Sequence, residues 1–288
     1  MRGAWIVAIV ACRVPALDLV GKQCPCPSGY TCDVATDKCT LGDAAPAGDG
    51  ARDAAGTVDT LRDARATYRE IVLSDQPVGY WRLGDSGTTA RDETGAHDGT
   101  YSGACAYGVP GAIAGDADTA VTFDGSTCKI TLPVAYPFAN NAPYSVEAWS
   151  STTSNALYQM IFCDEVRNST NPIDGYALLV TPTNFSGGFE LEREVSMNGI
   201  KTPIQPVASG FHHVVATYDG TQLALYVDGA FIGQTTDMRT AATITQAALI
   251  GASSQGNAYQ GTLDEIALYP TALSAPRIAA HYAAGTQP

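Results

Sequence analysis

Beyond Pro77 the chain alternates short apolar runs with clusters of Gly, Asn, Asp and Pro, the period-two pattern of strands joined by turns. The predicted strands are 79–83, 120–123, 128–132, 145–150, 159–162, 177–180, 189–195, 212–218, 223–227, 231–235, 249–251 and 262–269. Asp228-Gly229 between two of these runs is a hairpin signal, because its turn needs positive φ. Ser274-Ala275-Pro276 opens a helix over 277–284, which Gly285 is expected to close. A turn or two of helix over 58–68 is expected to lead into 68–73, and Pro77 ends that segment. The pattern is that of an all-β sandwich with a short C-terminal helix.

The first 67 residues have a different character. An apolar run from Ala4 to Ala11 fits a signal-peptide core and is far too short to cross a bilayer as a helix. Residues 13–41 hold Cys24, Cys26, Cys32 and Cys39 among turn formers with no apolar periodicity, so a small module there needs covalent staples. Pairing of Cys24 with Cys26 is disfavoured by the single intervening residue, which strains bridge geometry. The segment reads as a rigid spacer rather than a recognition knot. Residues 42–67 are rich in Ala, Gly and Asp and cannot bury enough surface to offset chain entropy, as in a flexible linker.

Charge narrows the partners. With 29 acidic residues against 16 basic ones the formal net charge is −13, and no Lys/Arg cluster interrupts it. Nucleic acid is therefore excluded as an expected partner, since phosphate binding needs the opposite sign. Eight cysteines point to an oxidising compartment.

Four segments carry a family resemblance: GYWRLGD (79–85), GDADTAVTFDG (115–125), FHHVVATYDG with LYVDG (211–220, 225–229) and GTLDEIALYPTALS (261–274). In this order they resemble the bacterial laminin-G-like domains of the concanavalin-A-like jelly-roll superfamily, over about residues 68–288. The resemblance implies two antiparallel sheets in a sandwich and a module that holds a glycan or a cell-surface protein. Residues 9–12, Ile-Val-Ala-Cys, resemble a bacterial lipobox with Cys12 as the lipidated residue. That implies a cell-envelope lipoprotein, at the outer membrane or surface, meeting the membrane only through acyl chains. A cleaved signal and a secreted protein is the alternative. A structural envelope role without sugar specificity is a second functional reading.

Candidate chemistry rests on carboxylates and cysteines. Asp264, in a strand apolar on both faces and grouped with Ile266 and Leu268, must be paired, hydrogen-bonded or bound to metal. Within the resemblance its Asp-Glu pair recurs and structural calcium is common, which would make Asp264, Asp85 and Asp124 calcium ligands. The alternative is a backbone-satisfied or salt-bridged aspartate, with Arg82 as the cation. Glu190, Glu192 and Glu194 share one strand face, resembling the carboxylate strand of laminarinase-like glycoside hydrolases. No stacking tryptophan adjoins them, so the expectation is non-catalytic, with a hydrolase using these three as the alternative. The loop 91–99 departs at Glu93, Thr94 and Ala96 from the family pattern, and His97 is expected to be a solvated loop residue. His212 and His213 point to opposite faces of a strand and are read as structural. Of the remaining cysteines, Cys105 and Cys128 are the preferred bridge, and Cys163 is left as a structural thiol.

Overall fold

The computed structural model describes residues 66–287 except 137, 139–140, 153, 157, 168–172, 184–186 and 242–243, together with the backbone of two short strands further upstream. The chain divides into two compact units, Met1–Gly56 and Thr57–Pro288. In the first, β1 (Tyr30–Asp33) and β2 (Lys38–Leu41) pair antiparallel with Cys32 opposite Cys39. The apolar N-terminal run, Cys12, Cys24, Cys26 and the Ala/Gly/Asp-rich linker as far as residue 65 lie outside the described residues.

The second unit opens with helix α1 (Tyr68–Ser74), whose start is fixed by a capping box between Thr67 and Glu70. Then come β3 (Gly79–Trp81), β4 (Thr89–Ala90), β5 (Gly99–Ser102), β6 (Ala106–Pro110), β7 (Thr119–Asp124) and β8 (Lys129–Thr131). The middle of the chain supplies β9 (Tyr144–Ser151), β10 (Gln159–Arg167), β11 (Ile173–Pro182), β12 (Gly187–Val195), β13 (Asn198–Lys201) and β14 (Gln205–Pro206). Last are β15 (His212–Tyr218), β16 (Gln222–Val227), β17 (Ala230–Thr236), β18 (Leu249–Ile250), β19 (Gln260–Tyr269) and helix α2 (Ala275–Thr286).

These strands build two antiparallel sheets packed as a sandwich. One runs β13-β12-β11-β10-β18-β8-β5-β4 with β14 beside β12, and the other β17-β16-β15-β9-β19-β7-β6 with β3 beside β19. Their facing sides form one core, including Trp81, Phe123, Val146, Phe162, Leu178, Phe189, Val214 and Ile266. The smaller sheet is covered on its other side too. There Tyr68 and Val72 of α1 and Ile278 of α2 pack with Tyr80, Trp149, Val215 and Tyr269. This double cover explains why β9 reads as buried along almost its whole length rather than alternating.

Three expectations change. Asp264 does not share a face with Ile266: Glu265 adopts φ 53°, a bulge breaks the register of β19, and Leu263 and Ile266 both face the core. Gly285 does not end the last helix. It lies inside α2, where any Cβ would collide with the Trp149 indole, so it is needed for close approach rather than as a stop. His97 is half-buried, with its ring edge-on to Tyr136 and its backbone N–H donating to Asp92. The Asp228-Gly229 turn has the positive φ values, 52° and 74°, that its sequence calls for. Cys105 and Cys128 are bonded to each other, and Cys163 is a buried free thiol.

Candidate functional site

A polar cleft of about 570 Å³ opens where β3 leads into the loop before β4. Arg82, Asp85, Arg91, Glu93 and Asp118 line it with Ser86, Thr88 and Thr89. Its walls are set by two devices. Asp92 accepts from the backbone N–H groups of Tyr80, Thr94 and His97 at 2.9–3.0 Å and from the Thr94 hydroxyl at 2.6 Å, so one carboxylate folds the loop 91–98. Gly84 admits the Asp118 carboxylate into space that any larger residue would fill. Arg82 is held by three carboxylates: it donates to Glu265 at 2.8–2.9 Å and Asp116 at 2.7 Å, and lies 3.2 Å from Asp118. Arg91 is different, with a side chain 79% exposed and its nearest carboxylate, Asp85, 3.8 Å away. The cleft thus offers a largely exposed guanidinium beside carboxylates and hydroxyls, the mixed set that binds neutral polyols or polar peptide.

Asp264 and Glu265 sit behind this wall, where β19 changes partner from β7 to β3. Glu265 accepts from Arg82 and from the Tyr80 hydroxyl. Burial raises the Glu265 carboxyl to about 7 against the pull of Arg82. Asp264 Oδ2 accepts from the Ala112 backbone at 2.7 Å, while its Oδ1 is buried without a partner. Burial, reinforced by the charge of Glu265, lifts the Asp264 carboxyl well above the usual range. A protonated Asp264 is a neutral group and carries no charge into that site.

The three carboxylates expected to hold calcium do not converge. Asp124 stands opposite Gln260, four residues along β19 from Asp264, a separation of about 13 Å at the rise of a strand. Its own oxygens cap the loop 126–128, accepting three backbone N–H groups and the Thr127 hydroxyl. Asp85 accepts the Arg91 backbone N–H at 2.9 Å. Among the described residues no group of three or more His, Cys, Asp or Glu side chains is placed to hold a metal ion. The donor set does not fit calcium, and no role is derived through it.

Glu190, Glu192 and Glu194 do share one face, the outer face of the larger sheet. Strand registers set Glu190 beside Leu179, Glu192 between Ala177 and Lys201, and Glu194 between Gly175 and Gly199. Lys201 Nζ bridges Glu190 at 2.9 Å and Glu192 at 3.2 Å. Glu165 lies on the same row as Glu194, across Gly175. Burial, then neighbouring carboxylates, raise both Glu165 and Glu194 to about 7. Arg193 turns the other way, into the protein, where it meets Asp237 at 2.7 Å and stacks over Tyr218.

The strongest polar constellation was not legible in the chain. Glu147, on the helix-covered face of β9, is fully buried and accepts from Tyr68 (2.7 Å), Tyr269 (2.5 Å), His213 (2.6 Å) and His281 (2.9 Å). His281 continues to Asp75 at 2.8 Å, which Arg277 also grips. These groups come from both helices and three strands, and bonded pairs among them lie up to 206 residues apart. They fasten α1 and α2 to the sheet, and the structural reading of His213 fits this place. Likewise Arg91, Glu93 and Asp118 of the cleft carry no local signal, because only the loops' meeting assembles them.

Comparisons with known proteins agree with this architecture. A laminin-G family model, described as concanavalin A-like lectin/glucanases superfamily, matches residues 124–279. No curated protein matches the sequence. Among solved structures, domain 4 of AbnA, a GH43 extracellular arabinanase from Geobacillus stearothermophilus in complex with arabinotriose, is similar at TM-score 0.55 and 17% identity, covering 72% of this chain and 98% of that one. The binding domain of botulinum neurotoxin DC in complex with SialylT is similar at TM-score 0.55 and 11% identity, covering 73% and 52%. The same domain with rat synaptotagmin II gives TM-score 0.54 at 11% identity, covering 73% and 51%, so this chain spans about half of the toxin domains.

Proposed function

Because the chain belongs to a laminin-G family of the concanavalin A-like lectin/glucanases superfamily, we propose that it is a non-catalytic binding module that holds a glycan or a surface protein. The ligand seat is the cleft of Arg82, Asp85, Arg91, Glu93 and Asp118. One observation carries this reading: Arg91 is a largely exposed guanidinium in a polar cleft whose other arginine is held by Glu265, Asp116 and Asp118. A cleft of about 570 Å³ suits a ligand of a few sugar rings, within the usual range of about 300–1,000 Å³. The arabinotriose, SialylT and synaptotagmin bound to the similar domains support a glycan or protein as the ligand class. Display at the cell surface through acylated Cys12, or secretion, belongs to the same proposal, as does a spacer role for residues 13–41. No helix among the described residues is long and apolar enough to cross a membrane.

The test is saturable binding of the full chain to a broad glycan array, repeated with Arg91→Ala and Asp85→Asn. The expected result is one sugar class, with binding weakened by both variants while the melting temperature holds. Binding untouched by either substitution would remove the cleft from the argument. A blank array would move the reading to a protein partner.

A hydrolase reading has one observation in its favour: Glu165 and Glu194, on one sheet face, both titrate near 7, where a general acid works. Against it, Lys201 holds Glu190 and Glu192. Reducing-sugar release from β-glucans that disappears in Glu194→Gln would establish this reading in place of the first.

A further inference from the structure

Strands β12 and β13 are joined by a two-residue turn, Ser196-Met197, with φ of 53° and 63°. A tight hairpin demands such left-handed values, although neither residue is a glycine or an asparagine. The turn delivers the chain into Asn198-Gly199, the single Asn-Gly step in the sequence. Both residues are exposed. In such a step the glycine nitrogen can attack the asparagine side chain, because no Cβ on the following residue obstructs the approach. Regular sheet normally prevents this by holding that N–H in a ladder bond.

Register leaves this N–H out of the ladder. Antiparallel pairs alternate between hydrogen-bonded and non-hydrogen-bonded ones. The Thr202 N–H donates to the Leu191 carbonyl at 3.0 Å, which makes those two residues a bonded pair. Counting in twos, Arg193 with Ile200 and Val195 with Asn198 are bonded pairs, and Glu194 with Gly199 is not. The Gly199 N–H therefore points away from β12. Strand β13 is the last of its sheet, so no strand lies on that side. Among the described residues the Gly199 N–H has no hydrogen-bond partner.

The peptide bond is also activated. Arg239 Nη1 donates at 2.5 Å to the Asn198 carbonyl, the one conjugated to the Gly199 nitrogen. A positive charge there favours the deprotonated nitrogen, which is the form that attacks. Asp237 fixes the guanidinium, accepting from Arg239 Nε at 2.8 Å and Nη2 at 2.7 Å. Asn198 Nδ2 donates to the Ser196 carbonyl at 3.1 Å, and turning the side chain toward Gly199 breaks only that exposed bond.

We infer that Asn198-Gly199 is a site of self-catalysed deamidation in the folded protein. The Gly199 nitrogen bonds to Asn198 Cγ and its proton passes through water to the amide nitrogen. The Cγ–Nδ2 bond breaks, ammonia leaves and a succinimide remains. Water then opens the ring: breaking the new Cγ–N bond gives aspartate, and breaking the backbone C–N bond gives isoaspartate. Each turnover consumes a water and releases an ammonia, with no change of oxidation state. Isoaspartate routes the main chain through Cβ and Cγ, which adds a carbon ahead of Gly199. Lys201 is then carried out of register with β12 and loses Glu190 and Glu192. None of this depends on what the polar cleft binds.

Peptide mapping by mass spectrometry of the full chain, aged at pH 8 both folded and in urea, tests it, with isoaspartate counted separately. The expected result is acid at position 198 accumulating ahead of every other asparagine, at least as fast folded as unfolded. Arg239→Gln, checked for an unchanged melting temperature, should slow the folded chain on the order of tenfold, as for one lost neighbouring charge, and leave the rate in urea unchanged. Asn198→Gln should remove the product at this position. Folded protein reacting about tenfold or more slower than the unfolded chain overturns the inference, since the step would then wait on local opening. So does a folded rate at Asn198 no greater than at the other asparagines. If Arg239→Gln fails to fold, the comparison of folded with unfolded parent still decides.

Discussion

Glu147 and His281 face each other 2.9 Å apart, both fully buried, across 134 residues of sequence. Burial works against both charges. The charge of His281 and hydrogen bonds from His213 and His281 nevertheless hold the Glu147 carboxyl well below its usual range. Against burial, the charge of Glu147 and the Asp75 bond raise His281 to about 9. The pair is therefore an ion pair that fastens both helices to the smaller sheet.

Removing the shared partner leaves buried groups unpaired. Glu147→Ala orphans two tyrosine hydroxyls and the His213 imidazole and leaves His281 with Asp75 alone, and is expected to lower unfolding free energy by about 3–5 kcal/mol. Urea denaturation measures it. A loss under about 1 kcal/mol would mean that water replaces the carboxylate, as at a surface pair.

The same pair sets a pH window. The folded value of His281 is raised from 6.5 to about 9, so its contribution is whole below pH 6.5 and lost as pH rises through about 9. Glu147 and Asp75 are lowered, so theirs is present above their ordinary values of 4.5 and 3.8 and lost as pH falls. Glu165, Glu194 and Glu265, raised from 4.5 to about 7, contribute stability that is whole below pH 4.5 and lost as pH rises through about 7. Stability is expected to peak near pH 4.5 and to fall from there to about pH 9. Melting temperatures from pH 4 to 10 give the curve, and in His281→Gln the limb above pH 7.5 should flatten.

Asp264 tests the calcium question from the protein's side. A protonated carboxyl is nearly isosteric with a carboxamide. Asp264→Asn is therefore expected to fold and, at pH 8, to be at least as stable as the parent, since the raised carboxyl loses stability as pH rises. Asp264→Ala loses the acceptor for Ala112 and is expected to be less stable by about 1–3 kcal/mol. Chelator should leave the parent's melting temperature unchanged. A clear drop on chelation, restored by calcium, would contradict the reading of the site.

Gly285→Ala separates propensity from packing. Alanine favours a helix by about 1 kcal/mol over glycine in isolation. Here its Cβ meets the Trp149 indole, so α2 must lift, and a net loss of about 1–3 kcal/mol is expected. Thermal denaturation decides, and a stabilised variant would show that the Trp149 indole yields to the added Cβ.

Twelve of the strands were legible because alternation survives wherever one face meets the core and turn residues flank it, as in β15 and β16. Strands β4, β5, β6, β13 and β14 were not, since runs of two to five residues with exposed or glycine-rich sequences carry no period. The shared face of Glu190, Glu192 and Glu194 was readable from spacing, but not Lys201, which neutralises two of them from the next strand. Asp264 is legible as a buried acid, from a strand apolar on both faces. Its orientation is not, because strict alternation cannot anticipate a bulge at Glu265.

What the sequence determined by itself is local: which segments are extended, where turns need positive φ, and that the strands beyond Pro77 suit a two-sheet sandwich. Period, turn chemistry and charge act over a few residues and are written in order along the chain. The tertiary structure alone decided which side chains meet. It placed Asp118 against Gly84, Glu147 beneath two helices and Asp124 away from Asp264. Such contacts depend on strand order and register, and those are settled by burying all the apolar faces at once.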